Sequence, residues 1–373
     1  MVYTNSLDVL YITTKSNIFA LLFTVMIFNR ELTKWYVSHQ RNLPWRSTKN
    51  PYFVWLSEIM LQQTKVSQGL PYYLKFVAVF PTVFDLADAS ESEVLKLWQG
   101  LGYYSRARNL HHTAKYVATE LNGVFPNNYK GLLQLKGVGE YTASAIASIC
   151  YKEPVAVVDG NVYRVLARVF GVHTATNSTQ GIKEFKQLAN SLLDVNAPGN
   201  YNQAIMDFGA IQCTPKKPKC TTCIYTRDCF AYLNNQIDVL PFKEKKVKVK
   251  KRYFNYLVTV TQDNTTIIEE RKGNGIWQGL YQFPLVEGSM KMSRQMIAES
   301  SVYRSLFPTT AEISLFNTKE IIHKLSHQHL HTQFWIVKTN TLSAANQSWL
   351  HIQEKPVPVL IANFLSEFLK ERQ

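Results

Sequence analysis

Cysteine and long apolar runs are both scarce in this sequence of 373 residues. Four of its five cysteines lie within residues 213–229, so it lacks the distributed cysteines of a disulfide-stapled secreted protein, and we expect a reducing compartment. The apolar stretch Ile18–Phe28 has eleven residues, whereas a transmembrane helix needs about twenty. We therefore expect no membrane partner.

Acidic residues are also few, with 27 Asp and Glu against 41 Lys and Arg, which gives a formal net charge of +14. This balance favours a polyanionic partner, although many soluble proteins carry a similar excess. The hydrophobic content of 46% is sufficient for ordinary buried cores, and the length predicts two or three domains.

Residues 1–28 are predicted to be an N-terminal extension. No small-residue cleavage site follows the apolar stretch, which argues against a signal peptide. We favour the interpretation that translation starts at Met26 and that residues 1–25 are an upstream misreading.

In the rest of the chain, the pattern of apolar residues changes once, from helical to strand-like. Residues 29–232 predict an all-α region, because apolar residues recur every three or four positions between glycine-containing turns. Residues 233–252 predict a basic linker; a solvated segment is the first interpretation of its lysine run and phosphate contact the second. Residues 253–373 predict an α+β domain. Its strands are expected near 253–262, 265–272, 279–286 and 331–339, and its helices at 293–306 and 358–370.

The clustered cysteines, Cys213, Cys220, Cys223 and Cys229, have the spacing C-x6-C-x2-C-x5-C. Four thiolates in one loop can bind Zn²⁺ or an iron–sulfur cluster. Zinc ribbons usually use two C-x-x-C pairs, so the spacing favours iron–sulfur, with zinc and unliganded thiols as alternatives. Lysines between the first two cysteines either contact phosphate or keep the loop soluble.

Two predicted turns carry groups that could have a function. One turn has backbone N–H groups and the other has a carboxylate. The turn Gly137-Val138-Gly139 precedes a helix of small residues and could bind a phosphate, or could simply connect two helices. Asp159 follows an apolar run and precedes another helix. It is either an ordinary helix cap, a role that Asn161 could share, or a carboxylate at the rim of a pocket.

Glu58 is the most informative carboxylate of the sequence. On a helix its neighbours three or four positions away are Val54, Trp55, Leu61 and Gln62. Apolar neighbours would desolvate the carboxyl and raise its pKa, as a general acid near neutral pH requires. The alternative is a surface glutamate on an amphipathic helix.

Six motifs occur in order: LPWR at 43–46, PYFVWLSEIMLQQT at 51–64, GLGYYSRARNL at 100–110, LKGVGEYTASAI at 135–146, VVDGNVYRVLAR at 157–168 and the cysteine run. Together they resemble those of MutY-type adenine DNA glycosylases of the helix-hairpin-helix superfamily. The resemblance is dense over residues 29–232 and looser to the end of the chain. It implies that the cysteines hold a [4Fe–4S] cluster.

The resemblance implies an enzyme that removes adenine paired with 8-oxoguanine or guanine in double-stranded DNA. A buried base must be flipped out of the stack to be reached. Gln63 with Tyr103, helped by Leu101, is expected to fill or open the base stack, and Gln62 is also expected to contact DNA. The glycine turn of residues 137–139 is expected to hold backbone phosphate.

The expected chemistry follows from the leaving group. Adenine leaves poorly as an anion, so Glu58 is expected to protonate it, and Asp159 to stabilise the cationic sugar, as in glycosidases. Asn161 and Tyr141 are expected to orient these groups. The related endonuclease III class carries a lysine where this chain has Tyr141, so we expect a monofunctional glycosylase. A non-catalytic damage sensor and a bifunctional pyrimidine glycosylase/lyase are the alternatives.

The C-terminal domain resembles the Nudix-like module that recognises 8-oxoguanine in this family, without a Nudix box for Mg²⁺. Ser326 and His327 match the polar pair of the family's recognition loop, while Leu325 stands where phenylalanine is usual. Lys136 likewise replaces the usual proline before the glycine turn. We expect a cytoplasmic, bacterial-type monomer that acts on the chromosome.

Overall fold

The computed structural model describes residues 15–244, 249–339 and 346–371. The first half of the predicted N-terminal extension, residues 1–14, and residues 245–248 of the predicted linker lie outside these ranges. Among the described residues, no helix is long and apolar enough to cross a membrane.

Residues 15–244 contain helices and turns without a strand, as the sequence predicts. The α-helices in this part are α1 Lys15–His39, α2 Pro51–Leu61, α3 Val66–Val79, α4 Val83–Asp88, α5 Glu91–Leu97, α6 Ser105–Thr119, α7 Tyr129–Leu132, α8 Glu140–Tyr151, α9 Gly160–Phe170, α10 Thr179–Ser191, α11 Pro198–Asp207 and α12 Phe230–Leu233. Asn50 caps α2 and Ser178 caps α10, each through its side-chain oxygen.

The protein forms two compact units, and each unit combines two segments that are separated in the sequence. Of the described residues, one unit comprises those up to Gln62 and residues 124–244. The other comprises Gln63–Gly123 and the described residues from 249 onward. The linear domain boundaries inferred from the sequence remain predictions.

The first unit is built on α8 and α11, against which α2 and α1 pack. Helix α1 continues through Met26, the start predicted from the sequence, and buries Phe28. The Phe28 ring stacks on Tyr225, with ring centroids 4.7 Å apart, and the Tyr225 hydroxyl donates to the Phe28 carbonyl at 2.8 Å. These contacts fasten α1 to the segment that carries the four cysteines.

The second unit combines α3 to α6 with the C-terminal domain. Helices α4 and α5 both begin with capping boxes, Thr82 with Asp85 and Ser90 with Glu93. Arg108 on α6 donates to the Gln278 carbonyl at 2.6 Å. Within this unit the helices and the sheet domain therefore form one packed body.

The C-terminal domain has a mixed sheet. The strands of the domain are β1 Lys250–Val260, β2 Thr265–Thr266, β3 Glu269–Glu270, β4 Tyr281–Gln282, β5 Leu285–Gly288, β6 Glu312–Leu315, β7 Ile321–Lys324, β8 Gln328–Lys338 and β9 Gln347–Ser348. Strands β5, β1, β8 and β6 lie side by side in that order, and β7 also pairs with β8. β1 and β8 run parallel, with Lys250 opposite Gln328. The helices are α13 Arg294–Glu299, α14 Ser301–Leu306, α15 Trp349–Glu354 and α16 Val359–Glu371.

Both faces of this sheet are covered. One face packs against α13 and α14 around Leu257 and Trp335. On the other, Phe334 stacks on Phe364 of α16 with ring centroids 4.1 Å apart. The α+β class is confirmed, and the parallel pair at its centre is buried on both faces, as parallel strands usually are.

The structure departs from the local predictions for this domain at three places. The helix expected at 293–306 is two helices, because the backbone of Ser300 is extended and its side chain caps α14. The strands β6, β7 and β9 and the helix α15 were not predicted. β1 begins at Lys250, inside the segment interpreted as a linker, since backbone pairing with β8 holds its lysines in the sheet.

Candidate active site

Glu58 lies on the buried side of α2 and is 8% exposed. Its neighbours Val54 and Trp55 are also buried, so the carboxyl has little access to water. Burial is the main cause that raises the pKa of Glu58 to about 7; the charge of Asp159 raises it further, whereas Tyr141 and Arg46 lower it. The predicted desolvation of Glu58 is confirmed, and its role as an acid stays a prediction.

Asp159 is the N-cap residue of α9. Its Oδ1 accepts from the backbone N–H groups of Asn161 at 2.9 Å and Val162 at 2.8 Å, and its Oδ2 accepts from the Asn161 amide at 2.7 Å. Burial raises the pKa of Asp159, and these hydrogen bonds partly offset the rise. The helix-cap interpretation is therefore confirmed, the charge of this cap also acts on Glu58, and the interpretation as a carboxylate at the rim of a pocket stays a prediction.

Tyr141, in the first turn of α8, completes the group. Burial raises its pKa well above the ordinary value, and the charges of Glu58 and Asp159 raise it further. The phenol thus stays protonated and can donate a hydrogen bond. Its hydroxyl donates to Met206 Sδ at 3.3 Å and lies beside the Glu58 carboxyl.

A buried arginine connects this group to the cysteine segment. Arg164 on α9 donates to the Asn161 side-chain oxygen at 2.8 Å and to the Cys213 carbonyl at 2.7 Å. It also donates to the Gly209 carbonyl at 2.6 Å. A Cβ on Gly209 would lie 2.6 Å from Asn161 Cβ, so glycine allows this close approach. The sequence analysis missed Arg164, although its position three residues after Asn161 on a helix was a usable signal.

A second pair of buried charges was also missed. Arg46 donates to Asp207 through both terminal nitrogens, and Arg41 Nε donates to the same carboxylate at 2.8 Å. Burial raises the pKa of Asp207, but the hydrogen bonds and charges of the arginines outweigh it and hold that pKa below its usual value. The Arg46 charge also acts on Glu58. Nothing in the sequence pairs residues 46 and 207.

The glycine turn lies between α7 and α8, as a helix-hairpin-helix requires. Gly137 has φ +82°, and Gly139 is exposed at the N-terminus of α8 with open space around its Cβ position. Free N–H groups at such a position can bind an anion. Gln62 Nε2 donates to Thr142 Oγ1 at 3.2 Å, so Gln62 is tied to this helix.

Two of the predicted base-opening residues have the same unusual backbone. Gln63 and Tyr103 are exposed and have φ +55° and +50°, a left-handed conformation that costs about 1–3 kcal/mol for a non-glycine residue. The Arg106 guanidinium lies 5.4 Å from the Tyr103 ring centroid. Leu101, in contrast, is 3% exposed. The DNA contacts of all three predicted residues stay predictions.

Ser326 and His327 lie exposed in the turn between β7 and β8. The Ser326 hydroxyl is 2.6 Å from the Tyr103 hydroxyl, within the same compact unit. The predicted recognition serine and one predicted wedge residue are thus brought together. Leu325 precedes them and is half-buried.

The four cysteines are free thiols grouped around one segment, and every pair of them interacts electrostatically. In the part of the chain that the structure describes, no group of three or more His, Cys, Asp or Glu side chains could hold one metal ion. Zinc needs four ligands at about 2.3 Å from one centre, whereas a [4Fe–4S] cluster takes each sulfur on a separate iron. Arg168 donates to Cys213 Sγ at 3.5 Å and the Tyr225 N–H to Cys223 Sγ at 3.4 Å. Four thiolates are a donor set that can hold a four-iron cluster, and the [4Fe–4S] assignment stays a prediction.

Comparison with protein families gives two matches. Residues 56–191 match the HhH-GPD superfamily base excision DNA repair protein model, and residues 255–367 match the NUDIX domain model. The resemblances inferred from the motifs for the two regions are confirmed.

Curated relatives match over most of the chain. An adenine DNA glycosylase of Buchnera aphidicola subsp. Baizongia pistaciae is 34% identical over 347 residues, which covers 90% of this chain and 95% of that protein. One from Rattus norvegicus is 34% identical over 373 residues and covers 86% of this chain and 72% of that protein. One from Homo sapiens is 45% identical over 208 residues, which covers 53% of this chain and 38% of that protein.

Among solved structures, a thermostable thymine-DNA glycosylase is 31% identical, with a TM-score of 0.54, covering 58% of this chain and 99% of that one. A trapped endonuclease III–DNA covalent intermediate is 19% identical, with a TM-score of 0.50, covering 60% and 99%. The second likeness supports the fold of the helical region alone.

Proposed function

Because the chain belongs to the adenine DNA glycosylase family, we propose that it removes adenine from A:8-oxoguanine and A:G mispairs in double-stranded DNA. The reaction is hydrolysis of the N-glycosidic bond. The observation that carries this proposal is the buried group of Glu58, Asp159 and Tyr141, which combines a carboxyl of raised pKa with a second carboxyl and a neutral phenol.

Glu58 acts as the general acid. Adenine is a poor leaving group as an anion, so protonation of a ring nitrogen lowers the barrier to bond cleavage. A carboxyl with a pKa of about 7 keeps a substantial protonated fraction at neutral pH and is still acidic enough to transfer its proton. After cleavage, the Glu58 carboxylate can take a proton from the attacking water.

Asp159 acts on the sugar. Loss of the base leaves positive charge on the ring, and an ionised carboxylate beside it stabilises that charge. Three hydrogen bonds from Asn161 and Val162 stabilise the ionised form and fix its direction. Tyr141 orients the Glu58 carboxyl by hydrogen bonding.

The adenine must leave the duplex before this group can act on it. Gln63 and Tyr103, already exposed in strained backbone conformations, fill or open the stack. The turn at Gly137 and Gly139 holds the phosphate near the flipped nucleotide through backbone N–H groups.

Ser326 reads the base opposite the adenine. 8-Oxoguanine has an N7–H donor and an O8 acceptor, whereas guanine has a bare N7 acceptor. A serine hydroxyl can donate and accept, so it can bond to this edge of the oxidised base. His327, exposed beside it, contacts the same base from the groove.

Cys213, Cys220, Cys223 and Cys229 hold a [4Fe–4S] cluster, which cross-links the loop of residues 213–229 when bound. The exposed lysines Lys216 and Lys217 of this ordered loop contact DNA phosphate. The protein acts as a cytoplasmic monomer on chromosomal DNA.

Single-turnover adenine release from an A:8-oxoguanine duplex tests the function. We expect release by the wild-type protein and its loss in Asp159→Asn with duplex binding retained. Binding without release would identify a damage sensor instead. Efficient borohydride trapping on the DNA product would identify a lyase, which position 141 argues against because tyrosine has no amine to form a Schiff base.

A further inference from the structure

The turn that carries Ser326 is held at its base by main-chain hydrogen bonds. The Leu325 N–H donates to the Gln328 carbonyl at 2.8 Å and closes the turn. The Lys250 N–H of the neighbouring strand β1 donates to the His327 carbonyl at 3.0 Å. Ser326 itself is exposed, and its hydroxyl lies 2.6 Å from the Tyr103 hydroxyl, so its position depends on that contact and on how firmly the base of the turn is fixed.

Arg252 adds a side-chain brace at the same place. Its Nε and Nη2 donate to the two oxygens of Glu287 at 2.7 and 2.6 Å, and its Nη1 donates to Gln328 Oε1 at 3.1 Å. The guanidinium also lies 4.8 Å from the ring centroid of Phe254, which is fully buried. A planar, forked guanidinium held on two sides and stacked on a ring has little freedom to move.

Strand register explains why this residue reaches both partners. β1 lies between β5 and β8 in the sheet. Phe254 pairs with Glu287 of β5 on one side, and Lys250 pairs with Gln328 of β8 on the other. Arg252 lies midway between these positions on β1, and so its side chain can link the two neighbouring strands. All of these residues belong to one compact unit.

We propose that Arg252, oriented by Glu287, positions the Ser326 turn through Gln328 and thereby sets the preference for 8-oxoguanine over guanine. This inference rests on the proposed role of Ser326 as the reader of the opposite base. Arg252 is a positioning residue, because it acts through the turn and not on the substrate.

The effect is selective because the two substrates use the turn differently. A bond from Ser326 to the N7–H of the oxidised base requires correct placement, and a displacement of about 1 Å can cost up to about a hundredfold. Guanine offers no N7–H donor, so adenine removal opposite guanine depends less on this bond. Loosening the turn should therefore lower the rate of adenine removal opposite 8-oxoguanine more than the rate opposite guanine.

The test compares single-turnover adenine release from A:8-oxoguanine and A:G duplexes by the full-length protein and by Arg252→Lys. Lysine keeps the positive charge but cannot form the fork to Glu287 while binding Gln328. We expect the rate ratio between the two substrates to fall about tenfold. Glu287→Gln should show a similar fall, whereas Glu312→Gln, the same change at an exposed position of β6, should keep the wild-type ratio.

A cycle with Ser326→Ala shows whether Arg252 acts through the turn. In the Ser326→Ala background, Arg252→Lys should change the substrate ratio no further. If the two substitutions lower the ratio independently, or if Arg252→Lys lowers both rates equally together with the melting temperature, the inference is overturned. A wild-type protein without any preference for 8-oxoguanine overturns the proposed reading by Ser326, and that result is visible before any variant of Arg252 is compared.

Discussion

The proposed catalytic group and the proposed recognition turn have opposite physical environments. Glu58 is 8% exposed among apolar side chains, and Asp159 is fixed by helix-capping hydrogen bonds and a buried arginine network. Ser326 and His327 are exposed, and strand pairing and the Arg252 brace hold the turn below them. One region excludes water, and the other presents its polar groups to it.

This difference fits the functions proposed for the two regions. Proton transfer at neutral pH needs a carboxyl whose pKa is shifted, and only desolvation or neighbouring charge shifts it. Recognition of a base edge needs hydroxyl and imidazole groups with ordinary properties, placed accurately at a surface. We therefore expect substitutions around Glu58 to change the rate of the chemical step by orders of magnitude. Substitutions in the turn should instead change the ratio of the rates on A:8-oxoguanine and A:G duplexes.

Glu58→Gln should produce the largest effect. The amide keeps the size of the side chain but cannot donate a proton to the leaving adenine, so single-turnover release should fall about 10²- to 10⁴-fold. Binding to an A:8-oxoguanine duplex, measured by fluorescence anisotropy, should stay within a few-fold of wild type. Undiminished release in this variant would remove the acid role from Glu58.

The pH dependence of the same step should follow the raised pKa of Glu58. The protonated carboxyl is the active form, so release should slow as the pH rises through about 7, by about tenfold for each further unit. The groups that face Glu58 are Asp159, Arg46 and Tyr141. Rates measured from pH 5.5 to 9 should show this descending limb in wild type and lack it in Glu58→Gln. A flat profile for wild type would contradict the assignment.

The spacing of residues along the sequence was enough to place Glu58. It lies on a helix with Val54 and Trp55 one turn away, and a local pattern of this kind survives folding. Ser300 was a missed local signal, since a serine that caps a helix interrupts the apolar pattern only slightly.

Long-range partners could not be predicted in this way. Arg46 and Asp207 are 161 residues apart, and Lys96 donates to the Lys355 carbonyl across 259 residues. A single sequence records which residues are charged, but not which of them meet in the folded chain. The same limit applies to the assignment of Gln63–Gly123 to the unit that contains the sheet.

Ser326→Ala should lower the rate of adenine release less than Glu58→Gln does. The loss of one hydrogen bond to the oxidised base should reduce the rate on A:8-oxoguanine about tenfold at most. The rate on A:G should change less, because guanine lacks the N7–H donor. Single-turnover rates on both duplexes measure the difference, with Ser305→Ala on α14 as a control in the same domain. Equal losses on both substrates would show that Ser326 supports the fold instead of reading the base.

The last prediction concerns stability, and it tests whether the burial of Glu58 carries a cost. In the folded protein the pKa of Glu58 is about 7, against 4.5 for the ordinary carboxyl, so the folded state holds the proton more tightly than the unfolded state between these values. Wild type should therefore lose stability as the pH rises from 4.5 to 7, by about 3 kcal/mol in total. Glu58→Gln cannot ionise and should not show this loss, so its advantage in free energy of unfolding should grow between pH 5 and pH 8. Denaturant titrations of both proteins at the two pH values measure it, with Glu184→Gln on α10 as a control for the change of charge. An advantage that is the same at both pH values would mean that burial does not hold the proton on Glu58, and the contrast between a desolvated pocket and an exposed reader would lose its physical basis.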